Sequence, residues 1–482
     1  MLRHRLALAL ALAALLPAAA SAEDLLQTYE LARTGDPQLR AAESTRLATK
    51  ENAVQARANL LPQINGSASL SRSWSTSNGQ PQDIFQNGVV IGRTTGNSES
   101  NSRGRDYGVN LSQSVFDWSR ISTLRSRRAL NNAADFDLEN ANDTLVTRTS
   151  AAYFNVLVAI ETLAAAEASE TALKRQFDYA DKRLEVGLAP ITDVHEARAQ
   201  YDSARANTIA QRNTLQDTYQ SLTEITGTSV VNLKALPEDF RPQLPSDKDV
   251  DAWVASAVAD NPTLKSLEAQ VQSSEFDIST AKAGHLPYLD LTGQYGKSAA
   301  WGTGTEFADN GLSASRSLGN DSKSRSLTLT LTVPIYSGGA TQSRVRQAVA
   351  QRDITQDQYE QQKRAVIRNT RNAYQVLVAG ISAVEARRLA VFSANAAYEA
   401  SQVGLEVGTR TVLDVLINQQ TLFNARQDYA IAKYDYLQNR LLLDQSAGSL
   451  DVADIQDVNR LLTVNADAQL APDGDAATPP RQ

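Results

Sequence analysis

The chain has 482 residues, with 47 Lys and Arg against 54 Asp and Glu, and no cysteine. The net charge of −7 argues against nucleic-acid binding. The missing cysteine excludes a disulfide framework and a lipid anchor on an N-terminal Cys.

Residues 1–22 come first in chain order. Arg3 and Arg5 precede an apolar run from Leu6 to Leu16, and Ala20-Ser21-Ala22 forms a small-residue cleavage site. This pattern predicts a secretory signal peptide and a mature chain starting at Glu23. No run of 18 apolar residues follows it, so a membrane crossing would have to use β-strands.

The rest reads as one unit written twice, over 23–245 and 246–463, with an offset of roughly 220 residues. Asp36-Pro37 returns as Asn261-Pro262, each an N-cap followed by Pro at the first helical position. Leu61-Pro62 returns as Leu286-Pro287, Val156-Leu157-Val158-Ala159 as Val376-Leu377-Val378-Ala379, and Leu184-Glu185-Val186-Gly187 as Leu405-Glu406-Val407-Gly408.

After a first helix, each unit shows two alternating segments. Strands are predicted at about 63–74 and 104–116, then at about 288–298 and 325–335. Ile64, Ala68, Leu70 and Trp74 share one face, and Asn65 and a series of serines fill the other. Tyr107, Val109, Leu111 and Val115, then Leu289, Leu291 and Tyr295, then Leu327, Leu329, Leu331 and Val333, repeat the pattern. An outer-membrane barrel strand needs this over about 9–11 residues, although a soluble sheet with one wet face alternates too. The intervening 75–103 and 299–324 are rich in Ser, Gly and Asn and read as long exposed loops.

Long helices follow. The first is predicted over 117–183, capped by Asp117, without Pro or Gly, and about 100 Å long. Its tip is 184–192 and its return helix 193–226. The second unit repeats this as helix 340–404, tip 405–411 and return helix 412–446. Apolar and small residues in steps of three and four along both return helices fit coiled-coil packing. The tail 464–482 reads as disordered. Four strands cannot close a barrel, so the chain is expected to oligomerise, and two, three or four copies would give 8, 12 or 16 strands.

Ala152-Tyr153-Phe154-Asn155-Val156-Leu157, the stretch Val186 to Asp202, Gly284 to Leu291, Pro334 to Gly339, and Val407 to Leu416 together resemble the TolC family of outer membrane efflux and secretion channels. The resemblance covers about 24–460. It implies a mixed α and β membrane protein. Three chains would form a 12-stranded transmembrane β-barrel, four strands per chain, continuous with a 12-helix periplasmic coiled-coil tunnel and a mixed α/β equatorial belt. It implies a passive exit duct in the outer membrane of a Gram-negative bacterium, for type I protein secretion, tripartite multidrug efflux, or both. Its implied partners are its own copies, outer membrane lipid, a periplasmic adaptor (membrane fusion) protein and an inner-membrane pump of the ABC or RND type. A duct dedicated to a single pump, or a coiled-coil surface protein with no transport role, are the alternatives.

The resemblance also implies the sites. Thr192, Asp193, Arg410 and Asp414 match a constriction at the periplasmic end, with Arg410 bridging to Thr192 and Asp193 of an adjacent hairpin and Asp414 forming an acidic ring. Gly187, Leu188, Gly408 and Thr409 match the adaptor-docking tips, where glycine also serves the turn. Ile417 stands where the family has a second acidic ring, and Leu405 where it has a latching Tyr. No enzymatic activity, cofactor or metal is expected. His4, His195 and His285 lie in different elements, and no catalytic triad or phosphate loop is present.

Overall fold

The computed structural model describes residues 24–237, 239–244, 248–308 and 312–470, so the signal peptide lies outside the described residues. The first repeat runs α1 (Leu25–Gly35), α2 (Pro37–Ala58), β1 (Gln63–Asn78), β2 (Asp83–Gln86), β3 (Val89–Phe116), α3 (Trp118–Glu185), α4 (Ile191–Thr226) and a short β4 (Lys234–Ala235). The second runs α5 (Val250–Asp260), α6 (Pro262–Ala283), β5 (Tyr288–Ala308), β6 (Ser313–Thr332), α7 (Ala340–Glu406) and α8 (Val412–Ala447). Then come α9 (Val452–Asn459), β7 (Val464–Asn465) and a 3-10 turn (Ala466–Gln469).

The helix starts follow from the capping residues. The Asp36 carboxylate accepts from Leu39 N at 3.2 Å, and Asn261 Oδ1 accepts from Leu264 N at 3.3 Å. Asp117 accepts from Ser119 N at 2.8 Å and opens α3. With no Pro or Gly to interrupt it, α3 runs for 68 residues. Its counterpart α7 runs for 67 and continues unbroken through Gly380 and Gly404.

The chain divides into two compact units. One gathers, of the described residues, 24–46, those within 133–267, and 358–470. Its main core joins Leu25 of α1, Tyr153, Leu157 and Ile160 of α3, Leu222 of α4, Leu377 of α7, and Leu437 and Leu441 of α8. The Tyr153 hydroxyl donates to Lys234 O and accepts from Lys234 N, both at 2.9 Å, and so pins β4 to α3. Phe154 stacks on Tyr434 with ring centroids 6.0 Å apart. One stretch of α3 is long and apolar enough to cross a membrane by length and composition, but 72% of it is buried inside the protein. The burial marks it as core.

The core also holds charge. Lys433, 4% exposed, places Nζ 2.8 Å from Glu161 Oε2, and the Tyr434 hydroxyl donates to Glu161 Oε1 at 2.8 Å. Two further carboxyls, Asp143 and Asp444, are buried. Burial, helped by the negative Glu139, pushes Asp143 up to about 7. Burial and Asp454 push Asp444 up to about 7 against the opposing pull of Arg440 and Lys248. An unfolded Asp titrates near ~3.9. A folded value above the unfolded one leaves stability intact below ~3.9 and removes it progressively as pH rises towards about 7. Asp143→Asn and Asp444→Asn are therefore expected to raise stability at pH 8 by about 2–4 kcal/mol each. The gain should shrink towards pH 4. Thermal unfolding at the two pH values checks this, and a gain independent of pH would refute it.

The second unit, 47–132 and 268–357, contains an antiparallel sheet of order β1-β3-β5-β6, with β2 paired to β3. The register puts Ile64 opposite Leu111, Val109 opposite Tyr295, and Leu291 opposite Leu329. The apolar residues therefore share one face. Leu111 and Leu327 side chains close over Gly293 from both neighbouring strands. Among the described residues that face is left exposed: Leu70 is 83% exposed and Leu327 73%.

The strands differ from the sequence expectation in length. They continue through most of 75–103 and 299–324, which composition had assigned to loops. The reason is cross-strand bonding between small hydroxyls, such as Ser73–Ser102 and Ser75–Ser100 at 2.8 Å and Ser298–Ser322 at 2.7 Å. The turn between β2 and β3 is Asn87-Gly88, with φ of 52° and 80°, a hairpin signal left inside the supposed loop. The tail is ordered at its start. Val464 and Asn465 pair with Ala235 and Lys234, and Ala466 is fully buried. Its last residues, 471–482, lie outside the described residues.

Candidate functional site: the hairpin tips

Each pair of long helices is joined by a short tip built the same way. In the first, Gly187 takes φ +74°, Gly187 N donates to Leu184 O at 2.9 Å, and Leu188 N donates to Arg183 O at 2.7 Å. In the second, Gly408 takes φ +80°, Gly408 N donates to Leu405 O at 3.2 Å, and Thr409 N donates to Gly404 O at 2.8 Å. This is a Schellman ending, and its left-handed residue favours glycine. Apolar side chains ring the glycines. Val186, Leu188, Ile191 and Val407 are each more than half exposed.

Beneath the tips, the ends of all four helices share a small core. Leu173 and Ala180 of α3, Val194 and Ala197 of α4, Leu405 of α7, and Val412, Val415 and Leu416 of α8 are buried together. Phe177 and Tyr201 stack nearly parallel at 6.3 Å. Leu405 is thus an apolar anchor 7% exposed, whereas Ile417 is 56% exposed on α8.

The two return helices start differently. Pro190 is the N-cap of α4 and offers no side-chain bond, and Asp193 in the first turn complements the helix dipole. Thr411 caps α8 in a reciprocal box. The Asp414 carboxylate accepts from Thr411 N at 2.9 Å and from Thr411 Oγ1 at 2.8 Å, and Thr411 Oγ1 accepts from Asp414 N at 3.2 Å. Those Thr411 bonds, and then the charge of Arg410, hold the Asp414 carboxyl below the usual range. Asp414 is therefore an ionised group whose direction is fixed by its own helix start. The T-x-x-D spacing of Thr411 and Asp414 is itself a capping signal in the sequence.

Arg410 lies between the tip and the cap. Its backbone N donates to Gly404 O at 3.1 Å, and its Cβ and Cγ cover Gly404, where an added methyl would come within 2.6 Å of Cγ. Among the described residues, no hydrogen bond or ion pair links its guanidinium to Thr192 or Asp193 of the same chain. Within one chain, Arg410 and Asp414 stand at the tip of the second hairpin, and Thr192 and Asp193 at the tip of the first, in the opening turn of α4.

The chain thus combines two helical hairpins with matched tips and an antiparallel sheet with one exposed apolar face, the parts of an outer-membrane duct. The model of the outer membrane efflux protein family matches residues 28–228 and 253–449, and the chain belongs to that family. It is similar to outer membrane protein TolC of Escherichia coli (strain K12), 34% identical over 451 residues, covering 92% of this chain and 85% of that one. It is also similar to the alkaline protease secretion protein AprF of Pseudomonas aeruginosa, 29% identical over 439 residues, covering 90% and 86%. Among solved structures, the Campylobacter jejuni CmeC outer membrane channel superposes with a TM-score of 0.67 at 20% identity, covering 92% of this chain and 90% of that one. The protein is thus a TolC-like outer membrane protein, a transport duct and not a member of an enzyme family.

Proposed function

We propose that three copies of the chain close a twelve-stranded barrel in the outer membrane and a twelve-helix tunnel in the periplasm, and that the assembly is a passive exit duct. The observation that carries this reading is the sheet. Among the described residues, the edge strands β1 and β6 each pair on one side only. In hydrocarbon, unpaired backbone groups cost several kcal/mol each, so both edges need partners, and copies of the same chain supply them. The kinship with TolC and with a protease secretion protein supports export of proteins, small toxic compounds, or both. The exposed apolar rims at Gly187-Leu188 and Gly408-Thr409 suit a periplasmic adaptor that links the duct to an inner-membrane pump. The pump supplies the energy.

The gate lies at the tips. Arg410 of one hairpin donates to Thr192 and Asp193 of a neighbouring chain's hairpin, and three Asp414 carboxylates form a cation-selecting ring. With Leu405 committed to the core, the Arg410 bridge carries a larger share of closure. A charge-assisted bond contributes about 1.5–3 kcal/mol when well formed, and exposure brings this to the low end. A loss of about 1.4 kcal/mol shifts the closed–open balance roughly tenfold. Arg410→Ser is expected to raise single-channel conductance in planar bilayers and to admit larger antibiotics. Asp414→Asn keeps an acceptor for Thr411 while removing the charge, so it should lower cation preference and leave closure nearly intact. Conductance and reversal potential under a salt gradient read both. Wild-type conductance in Arg410→Ser rules out the bridge as the latch, and an unchanged reversal potential in Asp414→Asn removes the ring from the narrowest point.

A further inference from the structure

Beyond its apolar band, the sheet's apolar face turns basic. Arg72 of β1 pairs directly with Arg103 of β3, and Lys297 of β5 with Lys323 of β6. Arg105 lies opposite Leu70, and Arg325 opposite Tyr295. Side chains alternate along a strand and paired residues share a face, so all six cations project from the same face as Leu70, Tyr107 and Leu329. At this level the other face carries Ser71, Ser102, Ser298 and Ser324.

Like charges placed directly opposite across an antiparallel pair repel. This face has two such pairs, offset along the strands because Arg103 lies opposite Trp301 and Lys297 opposite Tyr107, and Lys297 also has Asp321 as an ion-pair partner on this face, at 3.8 Å. The aromatics beside the cations are amphipathic. The Arg72 guanidinium lies 4.5 Å from the centre of the Trp74 ring, that of Arg105 5.8 Å from Trp301, and that of Arg325 5.5 Å from Tyr295. Such rings belong at a membrane–water boundary. The distance fits as well. From Gln63 to Arg72 is about 30 Å of strand, which a tilt of about 40° reduces to about 23 Å of height, close to the apolar band of an outer-membrane barrel. The helices join the sheet at the Gln63, Phe116, Tyr288 and Thr332 ends. With the helices in the periplasm, the basic row falls at the outer leaflet.

We propose that Arg72, Arg103, Arg105, Lys297, Lys323 and Arg325 form a belt that binds the phosphate groups of outer-leaflet lipid headgroups. The proposal rests on the reading above that the apolar face meets lipid. Phosphates seated between the opposed cations turn two repulsive pairs into charge-assisted contacts, and the flanking aromatics hold the headgroup's depth.

The test uses the full-length protein in neutral detergent, titrated with bisphosphorylated lipid A, with phosphate-free lipid A, and with inorganic phosphate, and read by native mass spectrometry. The wild type should bind the bisphosphorylated lipid in preference. The variant R72Q/R103Q/K323Q/R325Q should bind it about tenfold more weakly or worse, whereas R72K/R103K/R325K and R316Q, the last on the opposite face, should bind as the wild type does. Equal binding of phosphate-free lipid A overturns the belt, as does undiminished binding by the Gln variant. Displacement by millimolar inorganic phosphate overturns the lipid as its ligand. If the Gln variant misfolds, the phosphate dependence of the wild type and the behaviour of the Lys variant still decide. Cross-linking of the same samples separates the two readings. A trimer with phosphate-independent binding sinks the belt alone, and phosphate-dependent binding without a trimer sinks the barrel alone.

Discussion

Lys433→Ala is expected to destabilise the folded chain by about 3–5 kcal/mol, the cost of leaving a buried charge without its partner. The abandoned group is Glu161, which keeps the neutral Tyr434 hydroxyl at 2.8 Å. The remedy is equally specific. Lys433→Met with Glu161→Leu removes both charges and fills the volume, so it should recover most of the loss, because a buried ion pair gives little net stability over a well-packed apolar pair. Denaturant unfolding of the two single variants and the double variant measures the coupling. A single-variant loss below about 0.5 kcal/mol, the scale of an exposed ion pair, would mean that water reaches the site.

The second large effect concerns assembly. Leu329 lies on the apolar face opposite Leu291, and Thr328 on the other face opposite Thr292. Leu329→Arg puts a charge against lipid at about 2–4 kcal/mol per chain near the mid-plane, and a trimer carries it three times. The expected result is loss of the cross-linked trimer from outer membranes. Thr328→Arg should assemble normally, since in the proposed barrel its side chain would meet water in the lumen. Equal defects in both would show that the two faces of the sheet are assigned the wrong way round, and trimers from neither variant nor the wild type would end the barrel reading.

The helices were legible because their determinants are local. Asp36, Asn261 and Asp117 cap in the structure as the sequence order implied. The absence of Pro and Gly in α3 left nothing to stop it. The strand faces were legible for a similar reason, since a period of two needs no tertiary knowledge. Strand ends were not. Ser and Gly signal loops by composition, and only the partner strand reveals that Ser73 meets Ser102 and Ser75 meets Ser100. At the tips, Gly187 and Gly408 were readable as turn formers. The role of Gly404 as the floor for Arg410 was not, because it depends on a contact with a side chain beyond the turn. Nor was the pairing of Glu161 with Lys433, which joins residues from the two repeats.

The arms of the two hairpins have nearly equal lengths, 68 and 67 residues on the outgoing side and 36 on each return. An unbroken helix advances about 1.5 Å for every residue, so these numbers act as a ruler. Deleting seven residues from one arm would preserve its packing face and withdraw it by about 10 Å. Its own partner could then no longer meet it at the turn. Shortening both arms of one hairpin restores that turn but leaves its tip two helical turns away from its twin's. The reach of the duct is therefore a property no single insertion or deletion can tune. It changes only when the same step is taken in α3, α4, α7 and α8 together, and a gene built by duplication must keep its two halves in length register long after their side chains have diverged.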